Sequence, residues 1–95
     1  MINGEEAPKV SDHQPAIPKK LLPLDIGVDP ELIKNPYSGE KVWLQPNAVA
    51  VYDLIKGAEI TADPNNGDHP NWQLVRDGLD WFREHYAKEY MVLLD

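Results

Sequence analysis

The stretch PNWQLVRDGLDWFREHY, residues 70–86, carries the strongest structural pattern in this sequence. Large apolar side chains recur in it at steps of three, four, three and four, which is typical of one buried face of an α-helix. That face consists of Trp72, Val75, Leu79, Phe82 and Tyr86. A second line beside it consists of Leu74, Gly78, Trp81 and His85. Together the two lines cover about half of the helix circumference, which is more than one hairpin and one further helix need to cover.

Residues 46–59, which precede this helix, predict a second amphipathic helix. Pro46 suits a first helical position, because its missing N–H would be unpaired there anyway. Gln45 before it is a poor N-cap residue. One face collects the apolar side chains Ala48, Val51, Tyr52, Ile55 and Ala58. The turn-rich loop 61–69 separates the two helices, so we expect them to pack antiparallel.

Residues 31–44 predict a β-hairpin. Two short apolar runs flank the loop Asn35–Glu40. Asn35 and Pro36 suit the first positions of a type I turn, and Gly39 can adopt a positive φ without steric strain. A two-stranded sheet is marginal in water, so the helices must cover one of its faces. The apolar segment 90–95 fits either a buried strand or a short helix, and we favour a helix after a break near Ala87.

Residues 1–30 contain five of the nine prolines and none of the eight aromatic side chains. Each proline fixes φ and pushes the preceding residue toward extended geometry, so this segment predicts an extended arm. Such an arm is either a disordered leader or a segment whose apolar stretch 17–28 docks on a surface. We therefore expect an α+β fold, in which a short β-hairpin packs on two antiparallel helices in residues 31–95, preceded by an extended Pro-rich arm in residues 1–30.

Composition narrows the classes of function. Ninety-five residues suit one domain, and a net charge of −7 argues against nucleic-acid binding, which normally needs a basic surface. The chain has no cysteine, so it can form neither a disulfide nor a thiolate zinc site. No apolar run approaches the length of a membrane span, and residues 1–6 lack the features of a signal peptide. We expect an intracellular-type chain that binds neither nucleic acid nor membranes.

The sequence predicts no catalytic residue, cofactor site or metal site. Ser38 fits turn chemistry rather than a nucleophile. The carboxylates of Asp77, Asp80 and Glu84 alternate with basic residues, which is typical of a solvated helix face. The loop that begins at Asp63 superficially resembles a calcium loop, but its glycine and its twelfth residue do not match that pattern. We therefore expect a protein that is not an enzyme.

Two binding hypotheses follow. In the first, the arm lies along a neighbouring protein, or along a second copy of this chain, and the second line of the 70–86 helix supplies an anchor. The residues assigned to partner binding are Ile17, Leu21, Leu22, Leu24, Ile26, Leu74, Trp81 and His85. The alternative is that Trp81 packs under residues 17–28 of its own arm. If Trp81 binds a partner, Trp81→Ala should leave the fold intact and abolish association; if it is a core residue, that substitution should disrupt cooperative unfolding.

In the second hypothesis the chain is an acidic inhibitor that occupies a basic cleft or imitates nucleic acid. A nucleic-acid mimic needs a continuous stripe of negative charge, and arginines interrupt the acidic face of the 70–86 helix. Binding of this kind should weaken steeply as the ionic strength rises.

Four motifs resemble small uncharacterised proteins of tailed bacteriophages. They are NPYSGE (35–40), P-x-AVA-x-YD-x-IKGAE (46–59), GL-x-WF (78–82) and EYMVLLD (89–95), where x is any residue. The resemblance covers residues 35–95, excludes the arm, and transfers no catalytic residue. It implies a virion-associated, structural or accessory protein, located in the virion or in the cytoplasm of the bacterial host. It also suits a host-takeover factor that binds a cellular enzyme, which is the second choice.

Overall fold

The computed structural model describes residues 8–22, 24–62 and 65–94. The elements in chain order are a short 3₁₀ helix Lys19–Leu21, β1 Glu31–Lys34, β2 Lys41–Leu44, α1 Pro46–Thr61, α2 Pro70–His85 and α3 Ala87–Leu93. The expected α+β fold is confirmed: an antiparallel hairpin accompanies two main helices that pack on each other. None of the helices in these ranges has both the length and the apolar character required to cross a membrane.

The hairpin pairs Leu32 with Trp43 and Ile33 with Val42. Its loop closes through a hydrogen bond from the Gly39 N–H to the Asn35 carbonyl at 2.9 Å. This i→i+4 bond makes the loop one residue wider than the expected type I turn. Gly39 has φ 79°, the positive value that the sequence predicts and that residues with a Cβ rarely adopt.

The core lies between α1 and α2, which run antiparallel. Thr61 at the end of α1 accepts a hydrogen bond from the Asn71 side chain at the start of α2. Farther along, Val51 and Ile55 of α1 are fully buried against the Gly78 region of α2. α3 packs mainly against β2 and α2, and so joins the hairpin to the second main helix.

The most buried residues of α2 are Val75, Gly78, Trp81 and Phe82. They come from both of the apolar lines that the sequence places on this helix, so the buried centre lies between the lines. α1 covers part of this broad face, and the N-terminal arm covers part of the rest.

The helix boundaries differ slightly from those expected. α1 continues two residues beyond position 59, and α2 ends at His85, one residue early. Tyr86 leaves the helical conformation with φ −136° and ψ 54°, which produces a break just before the expected position. The chain then re-enters a helix, so the C-terminal apolar segment is helical up to Leu93. Asp63 and Asp95 lie outside the described residues.

Candidate functional site: the groove that holds the N-terminal arm

The arm is not a free extension, because residues 8–22 lie against the rest of the chain. We call these residues the docked arm. The surface that holds them, formed by Gln45, Asn47, Asp77 and Trp81, is called the arm groove. It lies where the first turn of α1 meets the middle and C-terminal turns of α2.

The docked arm completes the N-terminus of α1. Gln45 at the N-cap position makes no capping bond with its own side chain. The Asn47 N–H donates instead to Gln14 Oε1 at 2.8 Å, and Asn47 Nδ2 donates to the Pro15 carbonyl at 3.0 Å. A side chain from the arm therefore satisfies one of the backbone donors that every helix start leaves unpaired.

Gln45 itself binds the arm. Its Oε1 accepts from the Ser11 N–H at 2.9 Å, and its Nε2 donates to the Lys9 carbonyl at 2.9 Å. Both bonds are exposed to solvent, where a typical hydrogen bond contributes modestly to stability. The unfavourable capping residue at position 45 thus serves as a clamp for extended backbone.

Trp81 forms the floor of the groove. Its side chain is buried, with 4% of the residue exposed, and its indole Nε1 donates to the Ala16 carbonyl at 2.8 Å. The rings of His85 and Tyr86 lie 5.4 Å and 5.7 Å from the Trp81 ring, between centroids. Trp81 therefore presents one polar donor to the arm from within an aromatic cluster.

An ion pair and a buried leucine fix the end of the docked arm. Lys20 Nζ lies 3.3 Å from Asp77 Oδ1, and the Asp77 side chain is only 13% exposed. Leu21 is buried in the hydrophobic core, together with residues of both main helices. The 3₁₀ turn at Lys19–Leu21 allows these two neighbouring side chains to reach α2 and the core.

The eight side chains assigned to partner binding divide into three groups. Leu21 and Trp81 are buried inside this chain, and Ile17, Leu24 and Leu74 are half-buried against its core. Leu22, Ile26 and His85 are exposed. Of the two alternatives for Trp81, the structure has it buried within its own chain, but its hydrogen-bond partner is Ala16, one residue before the 17–28 stretch that the sequence suggested. Partner contact stays a prediction, and in this conformation only the exposed and half-buried members are accessible.

Three polar residues of the site, Gln14, Gln45 and Asn47, were not expected from the sequence. No periodic pattern marks them, because they act on backbone groups more than 30 residues away along the chain. The one signal was the unsuitable N-cap residue at position 45, which indicates that α1 obtains its cap from elsewhere.

Solvent-exposed apolar side chains continue beyond the groove. Residues 24–30, which we call the linker, join the docked arm to β1, and Val28 in this segment is 79% exposed. Tyr37 at the hairpin tip is 95% exposed, in a loop held by bonds from the N–H groups of Tyr37 and Ser38 to Asn35 Oδ1. Both features present apolar surface to solvent.

Two tyrosines have perturbed acidity. Burial raises the pKa of Tyr86 above its usual 10.0, and the charge of Glu89 adds to the effect. Burial also raises the pKa of Tyr52, with Asp53 and Glu59 contributing. Within the described ranges there is no surface pocket and no group of three metal-ligating side chains.

Comparisons of this chain with protein-family models, with curated proteins and with solved structures gave no match.

Proposed function

We propose that this chain is a non-enzymatic protein–protein interaction protein, a virion-associated or accessory component of a tailed bacteriophage. Its arm region, residues 1–30, contacts a neighbouring subunit. The observation that carries the proposal is the exposure of three apolar side chains close together in the sequence, Leu22, Ile26 and Val28, where the docked arm leaves the domain; we call them the apolar strip.

This strip has the properties of a contact surface. None of the described linker residues 24–30 takes part in a hydrogen bond or ion pair with the rest of the described chain. Full burial of an exposed Val, Leu or Ile side chain contributes about 1.5–3 kcal/mol. Val28 has most of this still to gain, whereas Leu22 and Ile26 are already more than half buried and would gain a smaller part. Because the backbone N–H and C=O groups of the linker make no hydrogen bond within the described chain, the linker can change conformation on a partner and bury these side chains there.

The phage setting rests on the resemblance over residues 35–95. A virion subunit is therefore the proposed partner, and the apolar strip is the part of this chain that it would cover. The hairpin tip at Tyr37 offers a second contact, because Asn35 holds its backbone and an aromatic side chain has few rotatable bonds to fix on binding.

The test is incorporation into particles. In cultures that produce this chain, we expect the wild-type protein in purified particles at a defined copy number, measured by quantitative mass spectrometry. The variant Ile26→Ser/Val28→Ser should fall by about tenfold or more, because it loses the apolar contact. The matched control Ile60→Ser/Met91→Ser removes two exposed apolar side chains elsewhere and should keep the wild-type copy number.

Equal incorporation of both double variants would contradict the strip as the contact surface. Failure to find the wild-type chain in particles would contradict the virion assignment. In that case a host enzyme that binds the chain with a steep dependence on salt would favour the acidic inhibitor instead. Pairing of Asp77 with Lys20 and of Asp80 with Arg83 weighs against a stripe of one sign on α2.

A further inference from the structure

The docked arm contains the sequence Pro15-Ala16-Ile17-Pro18, followed by Lys19 and Lys20. Pro18 has φ −59° and ψ 147°, close to the values of a polyproline II helix. Pro15 fixes its own φ, and each proline pushes the residue before it toward extended backbone. This segment therefore reaches the groove already close to its bound conformation, which reduces the entropy lost on docking.

The arm groove matches this conformation in three ways. A polyproline II helix has no internal hydrogen bonds, so its carbonyls need outside donors, and Trp81 Nε1 supplies one to Ala16. Trp81 belongs to an aromatic cluster with His85 and Tyr86, and Asp77 pairs with Lys20, the second residue after Pro18. An aromatic groove is the common way in which proteins recognise proline-rich segments of this kind.

Charge supports recognition of this arm in particular. The described arm, residues 8–22, carries three lysines and one aspartate, whereas the whole chain has a net charge of −7. A basic segment thus lies on an acidic domain, and the same attraction acts on an arm that arrives from another copy.

The linker makes few interactions that would keep the arm on its own domain. All the named groove contacts are made by residues up to Leu21, and the seven linker residues 24–30 make no hydrogen bond within the described chain. Fully extended, seven residues span up to about 25 Å. An arm that reaches across to a second copy would therefore keep every contact that it makes at home, as in domain swapping.

We infer that the arm groove is a binding site for an extended Pro-x-x-Pro segment that continues into a 3₁₀ turn with a lysine two residues after the second proline, and that its ligand in an assembly is the arm of a second copy. This inference rests on the proposed function, since it identifies the neighbouring subunit that the arm contacts. In dilute solution the linker favours binding of the arm to the groove of its own chain, because it keeps the local concentration of the arm at that groove high. Exchange takes over when an assembly holds several copies close together.

The test uses two full-length variants with complementary charges. Lys20→Glu places a carboxylate beside Asp77, and Asp77→Lys places an ammonium group beside Lys20, so each variant alone has a repulsive pair. In an exchanged heterodimer the new carboxylate on one arm meets the new ammonium group in the other chain's groove, while the second groove keeps its native pair. Native mass spectrometry of the concentrated equimolar mixture should show heterodimers in about fivefold excess over the statistical ratio.

Two controls isolate the groove. The chain that carries both substitutions restores an attractive pair in its own groove, and should unfold at the wild-type denaturant midpoint. A mixture of Arg83→Glu with Asp80→Lys, which alters an exposed pair within α2, should show no heterodimer excess.

Three results would overturn the inference. A concentrated mixture that stays monomeric would exclude arm exchange, as would a statistical ratio of dimers. If the mixture stays monomeric but binds a synthetic peptide of residues 11–22, the arm of a second copy is not the ligand. The groove would then bind a proline-rich segment of another protein. These outcomes are independent of particle incorporation. Exchange without incorporation would refute the virion assignment alone, and incorporation of a chain that does not exchange would refute the inference alone.

Discussion

At the scale of single residues, Gly78 determines how closely the two main helices approach. A Cβ atom at this position would lie 2.7 Å from Ile55 Cγ1 and 3.7 Å from Val51 Cγ1. The first distance is far below van der Waals contact, and Ile55 is fully buried, so its side chain has little room to move. The absence of a side chain at position 78 is therefore part of the packing of α1 on α2.

We expect Gly78→Ala to destabilise the protein by about 1–3 kcal/mol, because overpacking outweighs the better helix propensity of alanine. Urea unfolding followed by circular dichroism measures this change. Gly57→Ala is the matched control, since a Cβ at that helical position meets nothing within 4 Å. It should stabilise the protein by about 0.5–1 kcal/mol. Equal effects of the two substitutions would contradict the close approach at Gly78.

Ionisation of Tyr86 should lower the free energy of unfolding at high pH. Burial, aided by Glu89, raises the pKa of Tyr86 in the folded chain above its usual 10.0. The unfolded chain therefore loses this proton first. The contribution of neutral Tyr86 is complete below about pH 10 and declines as the pH rises through the folded pKa.

Tyr86→Phe should accordingly show a shallower decline in the free energy of unfolding between about pH 9 and pH 11.5, measured by urea titration at each pH. Tyr37→Phe, at a side chain that is 95% exposed, should keep the wild-type slope. Parallel slopes for wild type and Tyr86→Phe would contradict the proposed role of burial.

At the scale of elements, Asn35 joins the hairpin loop to α3. Its Oδ1 accepts from the N–H groups of Tyr37 and Ser38, and its Nδ2 donates to the Val92 carbonyl at 2.8 Å. Val92 lies in the last turn of α3, where carbonyls have no partner within the helix. One amide side chain therefore shapes the loop and caps a helix whose last turn lies 57 residues later in the chain.

Two substitutions separate these roles. Asn35→Ala removes both, and should cost about 1–3 kcal/mol. Asn35→Asp keeps an acceptor for the loop but replaces the donor to Val92 by a second oxygen, so it should loosen α3 alone. Hydrogen exchange should show faster exchange at the Leu94 amide in both variants, and at the Gly39 amide only in the alanine variant. Retained protection of Leu94 in the aspartate variant would contradict the cap.

At the scale of the whole molecule, the arm supplies part of the cover that α2 needs. α1 and α3 leave one side of this helix apolar, and the docked arm closes it through Leu21 and the Trp81 bond. Burial of Trp81 changes the expected effect of its removal. Trp81→Ala should now impair folding itself, because truncation of a buried tryptophan costs about 3–5 kcal/mol.

Trp81→Phe tests the link between the arm and the domain. It keeps an aromatic ring but loses the donor to Ala16, so it should cost about 0.5–1.5 kcal/mol from the lost hydrogen bond alone. We expect hydrogen exchange to increase at the Leu21 and Leu22 amides, while the centres of α1 and α2 stay protected. Unchanged exchange in the docked arm would show that the indole N–H does not hold it.

The candidate site could be predicted only in part. The width of the apolar face on α2 indicated that something further had to cover Trp81, and the apolar stretch after Pro15 was a suitable candidate. The clamp at Gln14, Gln45 and Asn47 could not be predicted, because isolated polar side chains that bond distant backbone groups leave no periodic trace in a sequence.

The sequence alone determined the helix and hairpin content of this protein, since periodicity of apolar residues and turn chemistry at Gly39 act over a few neighbouring positions. Tertiary structure decided where the arm lies, how α1 obtains its cap and which groups surround Trp81. These features depend on contacts between segments more than 30 residues apart. These contacts form only once the chain has brought those segments together, so a local sequence pattern can show that a cap or a cover is needed but cannot identify the residues that supply it.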